Sequence, residues 1–132
     1  MSRTRSASFE QHRDAIRAQA ARLFARHGYP VTPIAELARS CGISKALLYH
    51  YYRDKEQLLF DIADRYLASL LAIVAEVEAQ PQAAPARLRR LIDRFMAAYE
   101  DAAVYHRVLV QDVKYLKTSH RNQINAKQRR VV

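Results

Sequence analysis

Cys41 is the only cysteine in the 132 residues, so no disulfide can form within the chain, which fits a reducing compartment. Tryptophan is absent, glycine occurs twice and proline four times. No alternating run of Val, Ile and Thr argues for a sheet. No apolar stretch approaches the length of a membrane span. The N-terminal residues are basic and contain serine but lead into no apolar core, which excludes a secretory signal, and a cytoplasmic protein without a membrane partner is expected. His12, His27, His50, His106 and His120 are scattered without metal-ligand spacing, so neither a metal nor another cofactor is expected. No Ser/His/Asp arrangement, glycine-rich phosphate loop or paired-carboxylate motif stands out, and the expectation is that the chain is not an enzyme.

What remains is rich in Ala, Leu, Arg and Gln, side chains that lose little rotamer freedom in a helix. Half of the residues are hydrophobic, enough for a packed core. The net charge of +9 is unevenly spread. Residues 1–57 carry 10 Lys+Arg against 5 Asp+Glu, residues 58–112 carry 6 against 8, and residues 113–132 carry 6 against none. Basic blocks flanking a mildly acidic middle point to an anionic partner, with nucleic acid the first reading and a membrane surface its competitor.

The apolar spacing predicts an all-α chain. A basic, disordered arm covers residues 1–8, and Ser8 with Gln11 reads as a capping box opening a first helix over Phe9–His27, closed by Gly28. Thr32-Pro33 reads as the start of a short second helix, the hydroxyl capping and the proline at the first helical position. Ile34, Leu37 and Ala38 give that helix its apolar face, and Cys41-Gly42 supplies a sharp turn. Ser44 caps a third helix ending near Tyr52, and Asp54 with Gln57 caps a fourth over Lys55–Ala79. After a linker at Gln80–Pro85, helices are predicted over Ala86–Asp101, over Val104–Leu116 and from Ser119 onward. Their inward residues include Leu88, Leu91, Ile92, Phe95, Met96 and Tyr99.

Two short helices joined by a tight glycine turn, with a longer helix behind, make a helix-turn-helix whose second short helix enters the major groove. Ser44 and Lys45 then stand where base edges are met, while Tyr49, His50 and Tyr52 can donate to phosphates and Lys55 adds charge at the flank. The N-termini of the second and fourth helices offer free amides to phosphate.

The stretch from Gly28 to Leu59, GYPVTPIAELARSCGISKALLYHYYRDKEQLL, closely resembles the DNA-binding domain of TetR-family repressors. The resemblance implies a helix-turn-helix domain over residues 9–54 and part of a helical effector-binding and dimerisation domain over 55–132. It implies a homodimeric, ligand-responsive repressor that leaves a palindromic operator when a small molecule binds. Residue by residue, it makes Thr32 a phosphate contact, Ser44 and Lys45 the DNA contacts of the turn, Tyr49 and His50 a pair gripping the backbone, and Lys55 a phosphate contact. The chain departs from the pattern at Ala46, where glycine is common, and at Leu47, where a small or polar residue often reads a base. A leucine there offers only apolar contact, for example to a thymine methyl.

Other features have plainer readings. Tyr51 is expected to pack on the first helix, and Cys41 to fill the turn rather than sense redox state. Tyr66, Phe95, Met96, Tyr99 and Tyr105 are core or, by the family resemblance, the lining of an effector pocket between helices. Lys114, Lys117, Arg121, Lys127, Arg129 and Arg130 read as a solvated face or as a patch for an acidic ligand such as an acyl-coenzyme A. The non-DNA alternative is a helical interaction module whose basic ends bind protein or membrane. The helical pattern reaches Val132 without a closing Gly, Pro or Asn, and the resemblance implies further helices that make the dimer. The chain is therefore expected to be part of a longer protein, or else to pair through surfaces normally internal.

Overall fold

The computed structural model of the protein describes residues 2–79 and 83–131, with side chains for residues 8–79, 83–97 and 103–131. The described residues form helices and turns, with no strand among them. Helix α1 spans Ser2–His27, α2 Ile34–Cys41, α3 Lys45–Tyr51, α4 Lys55–Glu78, α5 Ala84–Asp112 and α6 Thr118–Val131. Short 3-10 turns cover Tyr29–Val31 and Val113–Tyr115. No helix among the described residues is long and apolar enough to cross a membrane.

Ile16, Ala20 and Phe24 recur along one face of α1 and are buried against Leu37 and Ala38 of α2, Leu48 of α3 and Leu58, Leu59 and Ile62 of α4. The same cluster continues without a break into Val108 and Leu109 of α5, Leu116 and Ile124 of α6. Helix α4 runs away from the first three helices, α5 returns along it and α6 climbs beside it again, so α5 ends and α6 begins at the level where α4 starts.

The two glycines sit where a positive φ is required. Gly28 closes α1 with φ 90°, its N–H donating to the Phe24 carbonyl at 2.8 Å. Gly42 takes φ 70° at the end of α2, donating to the Arg39 carbonyl at 3.0 Å while Ile43 N–H reaches the Ala38 carbonyl at 3.0 Å. These bonds satisfy the last carbonyls of α2 and turn the chain into α3.

The structure differs from the sequence expectations in several places, and Leu88, Ile92 and Met96 of α5, expected inward, are exposed because α5 turns that face away from the described helices. The backbone of α1 is helical from Ser2, so Ser8 lies inside the helix and caps nothing; the preceding residues contain no proline or glycine to stop the helix. The two helices expected over Ala86–Asp101 and Val104–Leu116 are one, Ala84–Asp112, because the Ala- and acid-containing stretch between them holds no helix breaker. Thr32 does not cap α2. Its hydroxyl turns inward and donates to the Gly28 carbonyl at 2.8 Å, leaving Pro33 at the cap position with no side-chain cap. Of the expected linker, residues 80–82 lie outside the described ones.

A Cβ on Gly42 would meet no atom within 4 Å, so substitution there strains the backbone alone. Gly42→Ala is expected to lower stability by about 1–2 kcal/mol. Leu48→Ala, which empties a site 1% exposed, is expected to lower it by about 2–5 kcal/mol. Urea unfolding followed by circular dichroism checks both, and midpoints equal to that of the parent chain would contradict them.

Candidate nucleic-acid interface

Helix α3 is held by one face and free on the other. The Ser44 hydroxyl oxygen accepts the Leu47 N–H at 3.0 Å, starting the helix, and its own hydrogen remains for an outside acceptor. Leu48 and Tyr52 are 1% and 2% exposed and anchor the inner face. At 3.6 residues per turn, Ala46 and His50 point most directly away from that anchor, with Lys45 and Tyr49 on one flank and Leu47 on the other. Ser44, Lys45, Ala46, Leu47, Tyr49 and His50, six of the eight expected contact residues, are all exposed. His50 is steered edge-on by the rings of Phe9 at 6.1 Å and Tyr51 at 5.2 Å.

Tyr52 is not on that surface. Its hydroxyl donates to Asp61 Oδ2 at 2.5 Å and accepts from Arg17 Nη1 at 3.2 Å, and Arg17 Nη1 also donates to Asp61 at 2.7 Å. Arg13 lies 4.5 Å from the Tyr52 ring centre and 3.6 Å from the Asp61 carboxylate. The knot ties α1, the end of α3 and α4 together. Burial and the bond to Asp61 push the Tyr52 hydroxyl up to about 12. Burial opposes ionisation of Asp61, but the hydrogen bonds from Tyr52 and Arg17 and the two arginine charges outweigh it and hold the carboxyl below its ordinary value. Arg17 is likewise desolvated, yet its bond to Asp61 keeps it above its ordinary value.

Thr32 and Lys55 are also turned inward. Thr32 is 0% exposed, with its hydroxyl on the Gly28 carbonyl, so it presents no hydroxyl to a phosphate. Lys55 Nζ donates to the Tyr29 carbonyl at 2.8 Å and the Thr32 carbonyl at 3.1 Å and lies 4.2 Å from the Tyr29 ring centre. Burial lowers its pKa, opposed by the charge of Asp112. The ammonium is first a strut between α4 and the turn before α2, with one hydrogen left for an outside acceptor. At the start of α4, the Asp54 carboxylate accepts the Gln57 N–H at 2.7 Å while Gln57 Oε1 accepts the Arg53 N–H at 2.6 Å. A carboxylate thus already occupies the position a phosphate was expected to take, whereas the N-terminus of α2 carries no side-chain cap.

Tyr51 packs on α1 as expected, its hydroxyl 2.7 Å from His12 Nδ1 and its ring 5.0 Å from Phe9. Cys41 is half-buried, and burial pushes its thiol up, away from the reactive thiolate. It lines a cavity of about 450 Å³ between α1 and the turn into α3, together with His12, Ile16, Gln19, Leu47 and Tyr51. The expected effector-pocket residues differ widely in burial. Tyr66 is buried with its hydroxyl 3.2 Å from His106 Nδ1, Tyr105 and Phe95 are half-buried, and Met96 is 56% exposed. The side chain of Tyr99 lies outside the described residues. No group of three or more possible metal ligands occurs among the described residues.

Sequence reasoning missed Arg17, Asp61, Tyr29 and Asp112. Asp61 carried a signal, a lone acid between Phe60 and Ile62 within an apolar run. Asp112 is 1% exposed and accepts the Tyr29 N–H at 3.5 Å, joining the end of α5 to the turn before α2.

The knot fixes a pH dependence at each end of the scale. Asp61, lowered in the fold, contributes stability that is present above the ordinary carboxylate range and lost as pH falls through its folded value. Tyr52, raised to about 12, contributes stability present below its ordinary value of 10.0 and lost as pH climbs from there to about 12. Tyr52→Phe is expected to lower stability at pH 7 by about 1–3 kcal/mol and to lose less than the parent between pH 9 and about 11. Urea unfolding at the three pH values checks it, and an unchanged alkaline loss would contradict it.

The sequence profile of the bacterial regulatory proteins, tetR family, matches residues 16–62, which run from the middle of α1 into α4. The transcriptional repressor KstR2 of Mycolicibacterium smegmatis is 32% identical over 104 residues, covering 76% of this chain and 48% of the repressor. A crystal structure of a TetR-family transcriptional regulator from Bordetella parapertussis superposes with a TM-score of 0.86 at 34% identity, over 90% of this chain and 62% of that one. AibR, in a crystal structure with isovaleryl coenzyme A and operator DNA, superposes with a TM-score of 0.76 at 28% identity, over 90% and 65%. The chain spans at most about half the length of the curated relatives it matches. The helix-turn-helix geometry, the profile match and the likeness to solved regulators agree, and the chain belongs to the TetR family of bacterial regulatory proteins.

Proposed function

We propose that residues 9–54 are the operator-binding domain, and residues 55–132 part of the effector-binding and dimerisation domain, of a ligand-responsive transcriptional repressor working as a cytoplasmic homodimer without enzymatic activity. The open face of α3 is the observation that carries this reading. Its DNA-facing set is Ser44, Lys45, Ala46 and Leu47 toward the bases and Tyr49 and His50 toward the backbone, exposed on a helix clamped from behind by Leu48 and Tyr52. A rigid helix with a free polar and aromatic surface suits insertion into the major groove, with Lys45 able to reach a guanine edge. Thr32 serves from the interior by shaping the turn before α2, and Lys55 braces that turn while offering its remaining hydrogen to a phosphate. Two such helices on a dimer meet half-sites roughly 34–36 Å apart.

The effector sits, on this reading, among α4, α5 and α6, where buried Tyr66 and half-buried Phe95 and Tyr105 supply aromatic surface. AibR's complex with isovaleryl coenzyme A and operator DNA makes an acyl-coenzyme A a reasonable class of ligand. A ligand that fits one arrangement of these helices better than another changes DNA affinity by that difference.

Selection of duplexes from a randomised library tests the reading. The parent chain is expected to enrich a recurrent motif, and Lys45→Ala to relax one position in it, with a loss of about 1–3 kcal/mol on the parent's motif. Failure of the parent to enrich any motif would overturn it.

A further inference from the structure

The basic run after residue 113 is not one patch. Lys127 is paired with Asp64 of α4, and Arg129 and Arg130 lie at the far end of α6, about 20 Å of helix from its start. Lys114, Lys117 and Arg121 are left at the near end, all exposed. That end is pinned to the first turn of α4. Glu56 accepts the Lys117 backbone N–H at 2.8 Å and pairs with His120 Nδ1 at 2.8 Å, and the His120 ring stacks on Phe60 at 3.9 Å.

A ladder of rings connects this edge to Lys55. Lys55 Nζ lies 4.2 Å from the Tyr29 ring, Tyr29 stacks on Tyr115 at 5.6 Å, and Lys114 Nζ lies 5.3 Å from the Tyr115 ring. Lys114 is therefore held beside the starts of α2 and α4, on the same end of the molecule as the open face of α3. No acid among the described residues forms an ion pair with it, although Asp112 feels its charge from beneath the Tyr29 turn. Glu56 is engaged by Lys117 N–H and His120, and Asp112 is buried under Tyr29.

We propose that Lys114, Lys117 and Arg121 form a second phosphate-binding edge, gripping the DNA backbone beside the helix-turn-helix. The inference rests on the DNA-binding reading above. It gives the second basic block of the chain a role on the same ligand as the first. It also supplies the phosphate charge that Lys55, occupied by two carbonyls, gives only in part. Because backbone contacts carry no sequence information, the edge adds affinity and salt dependence and leaves base preference alone.

The test is the binding of the 132-residue chain to a mixed-sequence 30-base-pair duplex across a salt series. Each lost phosphate contact flattens the plot of log affinity against log salt by about 0.9. Replacing Lys114, Lys117 and Arg121 together by Gln is expected to flatten it by between about two and three units, with an unchanged melting profile. Arg89→Gln with Arg129→Gln and Arg130→Gln removes the same charge away from the edge and is expected to leave the slope in place. If the triple variant unfolds, Lys117→Gln alone keeps the backbone bond to Glu56 and is expected to flatten the slope by about one unit. An unaltered slope in the edge variants, or equal flattening in the control, overturns the proposal. If the parent chain shows no salt-dependent binding, the DNA-binding reading falls instead.

Discussion

Asp61 stands where α1, the end of α3 and the early turns of α4 converge, and its carboxylate receives bonds from Arg17 and from the Tyr52 hydroxyl. Removing one member would strand a charge or a hydroxyl in a poorly solvated site, so the three act as a unit. What the unit controls is orientation. Leu48 could satisfy its burial with α3 rolled by some degrees, but the Tyr52 hydroxyl has directional partners on two other helices. The outward aim of Lys45, Ala46, Tyr49 and His50 follows from that constraint.

The turn around Tyr29 plays the matching part on the other side of the head. Its carbonyl receives Lys55, its N–H reaches Asp112 and its ring lies between Phe24 and Tyr115. One short segment thus joins α4, the end of α5 and the start of α2. A displacement of α5 along α4 reaches the helix-turn-helix through this turn as well as through the packing of α5 on α1.

The sequence made much of this legible because local chemistry decides it. Ser44 and the Asp54–Gln57 pair mark helix starts to within a residue, and Gly28 and Gly42 mark the two turns a side chain would strain. The extent of α5 was hidden because helix ends without Gly or Pro leave no trace in composition, and tertiary packing decides whether the chain runs on. In the candidate site, periodicity placed α3 correctly but could not show which polar side chains find partners inside. Thr32, Tyr52 and Lys55 carry donors that suit a phosphate as well as a buried acceptor, and in each case an internal acceptor lies within reach. Asp61 left only the trace of an acid in an apolar run and Asp112 left none, because their importance comes from neighbours far away in the chain.

Asp112 leaves the joint between α5 and the head unevenly secured. One carboxylate oxygen takes two long bonds, from the Tyr29 N–H and the Gln111 amide, each 3.5 Å, and the other is buried with no hydrogen-bond partner. A desolvated acceptor left unmet favours any excursion that lets water in. A seam closed by such long bonds costs less to open than a fully hydrogen-bonded one, and the Tyr29 amide is expected to exchange with solvent through local opening there. A joint built this way is the place where the shared core and the helix-turn-helix come apart at least cost.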